Sequence, residues 1–271
     1  MILPMAAWGQ MQFQVPRSLE QGYVMRVEAT GADAGKKLIA EFLGKKIPFY
    51  SDENGGMSAL VPAAVMTSPG SVPLTVRDAA GASVFASSVE ILDGHYLEQN
   101  IVTSSRMRRL RTSDEEMKRM AAFRAAIGSK KMWTEPLLRP APECSNSPFG
   151  VKRRNDGKLT GAIHAGLDFR SPKGRAVKAS DTGVVKVARM FPRQGGTVGI
   201  DHGQGLQTTY IHLSRIAAVE GKEVKRGQVI GYVGSTGFAT GPHLHWSVNV
   251  HGVPVNPNQW VPGIESCKPL D

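Results

Sequence analysis

Five polar residues toward the C-terminal end have the types and spacing to do chemistry together. They are His164 and Asp168 in the run HAGLD, His212 in YIHLS, and His243 and His245 in HLH. Imidazole and carboxylate donors suit zinc, and a catalytic zinc keeps three protein ligands with one position open for water. Side chains alternate along a strand, so His243 and His245 point to one face and can converge on a single ion. The same rule puts Tyr210 on the face of His212, lining the same cleft. Gly161 and Gly166 permit a tight turn that folds His164 and Asp168 onto one ion. Gly237, Gly241 and Pro242 mark a turn that delivers His243 to its strand. The other histidines have no such company: His202, in DHG, reads as a solvent-facing turn residue, His251 as structural in a hairpin, and His95 stands at a domain boundary.

The elements that must position these residues are strands. From Phe149 onward, runs such as AVKASDTGVVKVARM, LQTTYIHLSRI and EVKRGQVIGYVGSTG are separated by Gly-bearing turns, and helical periodicity is hard to find. The stretch EVKRGQVIGYVGSTG also resembles the sheet segments of lipoyl or biotinyl carrier domains, but no lysine sits in the usual carrier setting, and Arg226 and Gly227 read as a structural turn. Residues 11–94 alternate in YVMRVEA and VPLTVRDA, with DENGG as a turn, and suggest a small antiparallel, Ig-like sandwich. That segment reads as a spacing or regulatory domain. Between them, residues 95–140 form a linker. Thr112 or Ser113 caps a helix over about 113–127, with Glu115 and Glu116 in its first turn and an apolar stripe through Met117, Met120, Ala121 and Phe123 or Arg124. The Pro-rich WTEPLLRPAPECSNSP follows as an extended connector. The expected fold class is therefore all-β apart from that helix, with an N-terminal sandwich and a C-terminal domain over 141–271.

The chain has 271 residues and a net charge of +10. Residues 1–94 carry 7 basic and 9 acidic side chains, residues 95–140 carry 10 and 5, and residues 141–271 carry 16 and 9. The positive field thus belongs to the linker and the histidine-bearing domain, where it favours a polyanionic partner such as a nucleic acid or a cell-envelope polymer. No RNP motif, helix-turn-helix signature or basic aromatic platform supports nucleic acid. No apolar run reaches membrane-spanning length. The opening MILPMAAWGQ is apolar but lacks the basic region of a signal peptide. Cys144 and Cys267 flank the histidine-bearing domain. A disulfide between them would limit terminal fraying in an oxidising compartment; the alternative is two unrelated buried thiols.

The segments FGVKRRNDG with HAGLDF, then YIHLS, then TGPHLHWSV resemble the M23 family of zinc metallopeptidases, the lysostaphin-like or LytM-like peptidoglycan endopeptidases. The resemblance covers about residues 147–260. It implies a groove-bearing antiparallel β-sheet fold with one Zn2+ per chain, held by His164, Asp168 and His245. It gives His212 and His243 the catalytic positions beside the metal-activated water, and leaves open which is the general base. Asn155 takes a position where the family commonly has a polar residue near the cleft wall. Arg154, with Arg153, would face carboxylates of a stem peptide, or form a solvated charge run. Trp246, opposite in phase to His245, is expected in the core.

What the resemblance implies is hydrolysis of stem or crosslink peptides of peptidoglycan, with the bond between D-alanine and diaminopimelate favoured over glycine bridges. The alternative is a cell-wall scaffold that only binds, although degenerate members usually lack some of the five residues that are all present here. A monomer in the periplasm of a Gram-negative bacterium, or secreted from it, is expected.

Overall fold

Alternation of apolar and polar side chains builds the first of two compact units, which runs to Ala63 and resumes over Thr67–Asp93. The structure, a computed structural model, describes residues 11–31, 36–51 and 55–268. The opening MILPMAAWGQ and most of the DENGG turn lie outside the described residues. One sheet orders Gln12–Gln14, Val24–Thr30, Met57–Pro62 and Tyr50–Ser51; the other orders Ser18–Glu20, Ser83–Leu92, Gly70–Arg77, Ile39–Phe42 and Lys45–Pro48. Alternate residues such as Val27, Ala29, Leu74 and Val76 are wholly buried in one cluster shared by both sheets. Two sheets that bury their facing residues in a common core make a sandwich.

The second unit comprises Gly94–Asp271 with Ala64–Met66. Its main sheet is antiparallel and runs in the order Ser145–Ser147, Leu167–Phe169, Leu244–Val250, Leu206–Leu213, Gly195–Gly203, Gly183–Phe191 and Glu223–Val224, with Val253–Val255 paired to Leu244–Val250. Tyr210 and Trp246 are cross-strand partners on its inner face, and both are fully buried. A smaller sheet joins Glu98–Ile101, Lys152–Asn155 and Lys158–Ile163, and another joins Ala176–Lys178, Val229–Tyr232 and Arg215–Ile216. A disulfide links Cys144 to Cys267 across 123 residues of sequence.

Residues 94–140 are integrated into this second unit. Glu98–Ile101 pairs in parallel with Lys152–Asn155. Helix α1 spans Ser105–Arg109 and α2 spans Asp114–Ala125, where Ser113 accepts the Glu116 N–H as the N-cap. The buried face of α2 differs from the apolar stripe read in the sequence. Glu116, Met120 and Phe123 are buried, whereas Met117 is half exposed. Met120 and Phe123 pack on Val187 and Phe191 of the main sheet. Gln207 donates to the Phe123 and Ala126 carbonyls at the end of α2, so that buried terminus is satisfied by the sheet. The Pro-rich connector lies along the same unit, with the Leu137 N–H donating to the Trp260 carbonyl and the Leu138 N–H to that of Ser180.

Candidate metal centre and groove

Asp168 and His245 face each other directly across adjacent strands, in register. His245 Nδ1 lies 2.8 Å from Asp168 Oδ1, His164 Nε2 lies 2.9 Å from the same oxygen, and the two ring nitrogens are 2.9 Å apart. Gly166 makes this possible, because a Cβ there would come within 2.2 Å of the Trp246 carbonyl oxygen. Each ring is fixed by its other nitrogen. His164 Nδ1–H donates to the Pro148 carbonyl at 2.6 Å, and His245 Nε2–H to Ser247 Oγ at 2.9 Å. The nitrogens left with lone pairs are therefore the two that face Asp168. Two imidazole lone pairs and a carboxylate converging on one point form a set able to hold a metal ion, and their donor chemistry fits zinc. Burial alone would raise the Asp168 carboxyl, but His164 and His245, when protonated, outweigh it through their charges and hydrogen bonds and hold it well below the usual range.

Two further imidazoles border this cluster. The rings of His212 and His243 are 4.7 Å apart, and His212 is 6.3 Å from His245. His212 Nδ1–H donates to the Thr236 carbonyl at 2.8 Å and His243 Nδ1–H to that of Gly241 at 2.9 Å. Each thus keeps Nε2 as an acceptor, and His243 Nε2 lies 3.9 Å from Asp168 Oδ1. Burial, then the neighbouring His243 and His245, push the pKa of His212 down to about 3.

Residues 162–257 match peptidase family M23. The chain is 44% identical over 112 residues to the DD-carboxypeptidase/endopeptidase Mpg of Neisseria meningitidis, and 44% identical over 111 residues to the peptidoglycan DD-endopeptidase ShyA of Vibrio cholerae. Each alignment covers 41% of this chain but only 26% of the relative's own length. A crystal structure from Pseudomonas aeruginosa named for peptidase M23 superposes with a TM-score of 0.70 at 29% identity, covering 89% of this chain and 94% of that one. The chain carries a peptidase family M23 domain.

The groove of the M23 domain has a volume of about 1150 Å³, with His164, Asp168, His212, His243 and His245 among the residues that line it. Asn155 and Arg153 also line it. Arg154 does not, because alternation along Lys152–Asn155 turns it away: its Nε donates to Glu98 at 2.6 Å outside the groove. Arg153 takes the inward position, 3.6 Å from Asp168 Oδ2 and 3.0 Å from Ser147 Oγ.

Tyr210 is also corrected. It does not line the groove of the M23 domain but is fully buried, its hydroxyl bonded to Thr208, Ser180 Oγ and the Ser180 N–H. Parity with His212 fails because of a bulge: the step from Gly196 to Val198 faces the longer step from Tyr210 to Leu213. His212 absorbs the extra residue at φ 66°. A bulge re-aims one side chain, so His212 reaches the groove while Tyr210 stays inside. His202, expected in solvent, is fully buried on Gly195–Gly203 and bonded to the Thr182 carbonyl and Thr208 Oγ1. Sequence reasoning missed Ser247, Thr236 and Glu116. Only Ser247 had a signal, as the next inward position of the alternating series after His243 and His245.

Proposed function

We propose that this protein is a zinc-dependent endopeptidase that hydrolyses peptide crosslinks or stem peptides of bacterial peptidoglycan. The reading is carried by one observation: a His-Asp-His cluster with converging lone pairs lies in an open groove beside two imidazoles whose Nδ1–H groups are already committed. Zinc, when bound by His164, Asp168 and His245, supplies a Lewis acid and an acidified water. The remaining work falls to side chains of this chain. His212, with Nδ1–H committed to the Thr236 carbonyl, presents a bare Nε2 in the groove, which suits accepting a proton. His243 would have to carry a proton on Nε2 as well, as an imidazolium, to hydrogen-bond the developing oxyanion or to protonate the leaving amine.

The favoured bond joins D-alanine to diaminopimelate. Two relatives named as DD-peptidases support this choice. So does the cationic character of the groove, where Arg153 and Arg193 suit the carboxylates of a stem peptide and Asn155 adds a polar contact. The wall polymer lies outside the inner membrane, which puts the protein in the periplasm or outside the cell, acting as a monomer. The N-terminal sandwich would space or restrain the enzyme. If deleting residues 1–93 leaves the release of wall fragments unchanged, a restraining role is wrong.

The deciding experiment is mass spectrometry of fragments released from purified cell wall by the zinc-loaded protein and by His245→Ala. Cleaved D-alanyl crosslinks from the first protein alone are expected. Identical fragments from both proteins, or none from either, would sink the proposal.

A further inference from the structure

Glu116 is 1% exposed, yet nothing cationic pairs with it among the described residues. It occupies the N3 position of α2 behind the Ser113 N-cap. In a capping box such a glutamate turns back to the N-cap N–H. Here the carboxylate reaches instead to a separate part of the chain. Oε2 accepts the Arg193 N–H at 3.2 Å and Oε1 accepts the Gln194 N–H at 3.0 Å. Burying a carboxylate is costly unless its oxygens are bonded; two consecutive backbone donors from the turn at Arg193 and Gln194 provide that, and the N-terminal end of α2 favours the negative charge.

The segment held in this way leads to the catalytic histidine. The Gln194 carbonyl accepts the His212 N–H at 3.1 Å, and the Arg193 carbonyl accepts the Phe238 N–H at 2.7 Å. Between them, Gly195 runs against Thr236, so closely that a Cβ there would lie 2.2 Å from Thr236 Oγ1. Thr236 is the residue whose carbonyl fixes the His212 ring. One short segment therefore supports His212 at its backbone and at its ring, and the Glu116 carboxylate anchors that segment to α2.

We propose that Glu116 is a positioning residue for His212, holding the Arg193–Gly195 segment so that the bulged histidine keeps its backbone and ring orientation. The inference rests on the catalytic reading of His212. Glu116 lies outside residues 162–257, so the brace comes from sequence N-terminal to the matched family region.

The test uses the full chain, zinc-loaded, with crosslinked muropeptide dimers as substrate. Glu116→Ala is expected to lower kcat about ten- to a hundredfold with zinc content unchanged, any rise in KM through Arg193 on the same segment being smaller than the fall in kcat. Glu116→Gln keeps one acceptor oxygen and should recover part of the loss. Phe123→Leu loosens the same helix without touching the carboxylate, and should lower Tm while leaving kcat near wild type below the transition. The readout independent of turnover is 15N-histidine NMR. The protected His212 Nδ1–H signal should shift or exchange-broaden in Glu116→Ala and persist in Phe123→Leu. Unchanged kcat and an unchanged His212 signal in Glu116→Ala would overturn the proposal. So would parallel losses in Glu116→Ala and Phe123→Leu, which would reduce Glu116 to ordinary packing. If wild type cleaves nothing, the peptidase reading fails, and the NMR arm still decides whether Glu116 positions His212.

Discussion

His212 gives its Nδ1–H to the carbonyl of Thr236 at 2.8 Å, and this bond determines what the imidazole can do. A neutral ring has one donor nitrogen and one acceptor nitrogen, so committing Nδ1 leaves Nε2 to accept. The backbone makes the same commitment. A non-glycine residue in the left-handed region costs about 1–2 kcal/mol, and His212 is held there at φ 66° by the Gln194 carbonyl as well as by Thr236. Strain of this kind persists where surrounding contacts over-determine the conformation.

Replacing His212 should therefore separate metal binding from turnover. His212→Ala is expected to keep zinc, because the His-Asp-His cluster does not include it, and to lose about 10²–10⁴-fold in kcat. Metal content by elemental analysis, alongside initial rates on muropeptide dimers, checks both halves. Loss of zinc in step with activity would make His212 a ligand instead.

Ser247 provides a finer probe of the metal centre. Its Oγ accepts the Nε2–H of His245 and so fixes the tautomer that directs Nδ1 toward Asp168. Removing such an outer partner typically weakens metal affinity about 10–100-fold. Ser247→Ala should show that loss in a competitive chelator titration, while its activity at saturating zinc stays far above that of His245→Ala.

The depressed pKa of His212 makes the metal-free protein acid-sensitive. In the fold the ring stays neutral down to about pH 3, whereas the unfolded chain protonates it near the ordinary histidine value of about 6.5. The unfolded state then binds more protons, so stability falls as pH drops from 6.5 toward 3. Between pH 7 and pH 5 this single group removes about 2 kcal/mol. Urea unfolding of chelated protein at both values should show the drop, with a shallower one in His212→Gln. Equal slopes in the two proteins would discount the His212 contribution.

Zinc competence was legible in the sequence because few residue types bind zinc and alternation puts His243 and His245 on one side; the choice of His164, Asp168 and His245 as the ligands came from the resemblance to the M23 family. The sandwich was legible because runs such as VPLTVRDA bury alternate residues between two sheets. Alternation failed at Tyr210 because a bulge depends on how neighbouring strands pair, and YIHLS carries no glycine to announce it. Arg153 and Arg154 were indistinguishable until the strand's phase was known. Glu116 read as an ordinary first-turn acid, because its partners at Arg193 and Gln194 lie 77 and 78 residues away.

The Cys144–Cys267 disulfide should stabilise the second unit mainly by restricting its unfolded state. It closes a loop of 123 residues, and loop-closure entropy puts the contribution of a bridge that long at about 4–5 kcal/mol, with measured bridges commonly giving about 2–4. Beside the bridge, the Cys267 N–H donates to the Ser145 carbonyl and the Arg170 N–H to that of Cys144, so backbone hydrogen bonds as well as the covalent link tie the segments around the two cysteines to the sheet near Asp168. The double variant Cys144→Ser/Cys267→Ser should therefore fold and bind zinc but melt well below wild type. Reduction of the wild-type protein with dithiothreitol should bring its Tm down to that of the variant. A wild-type Tm unaffected by reductant, with thiol titration confirming that the bridge has opened, would show that the hydrogen bonds alone hold the terminus.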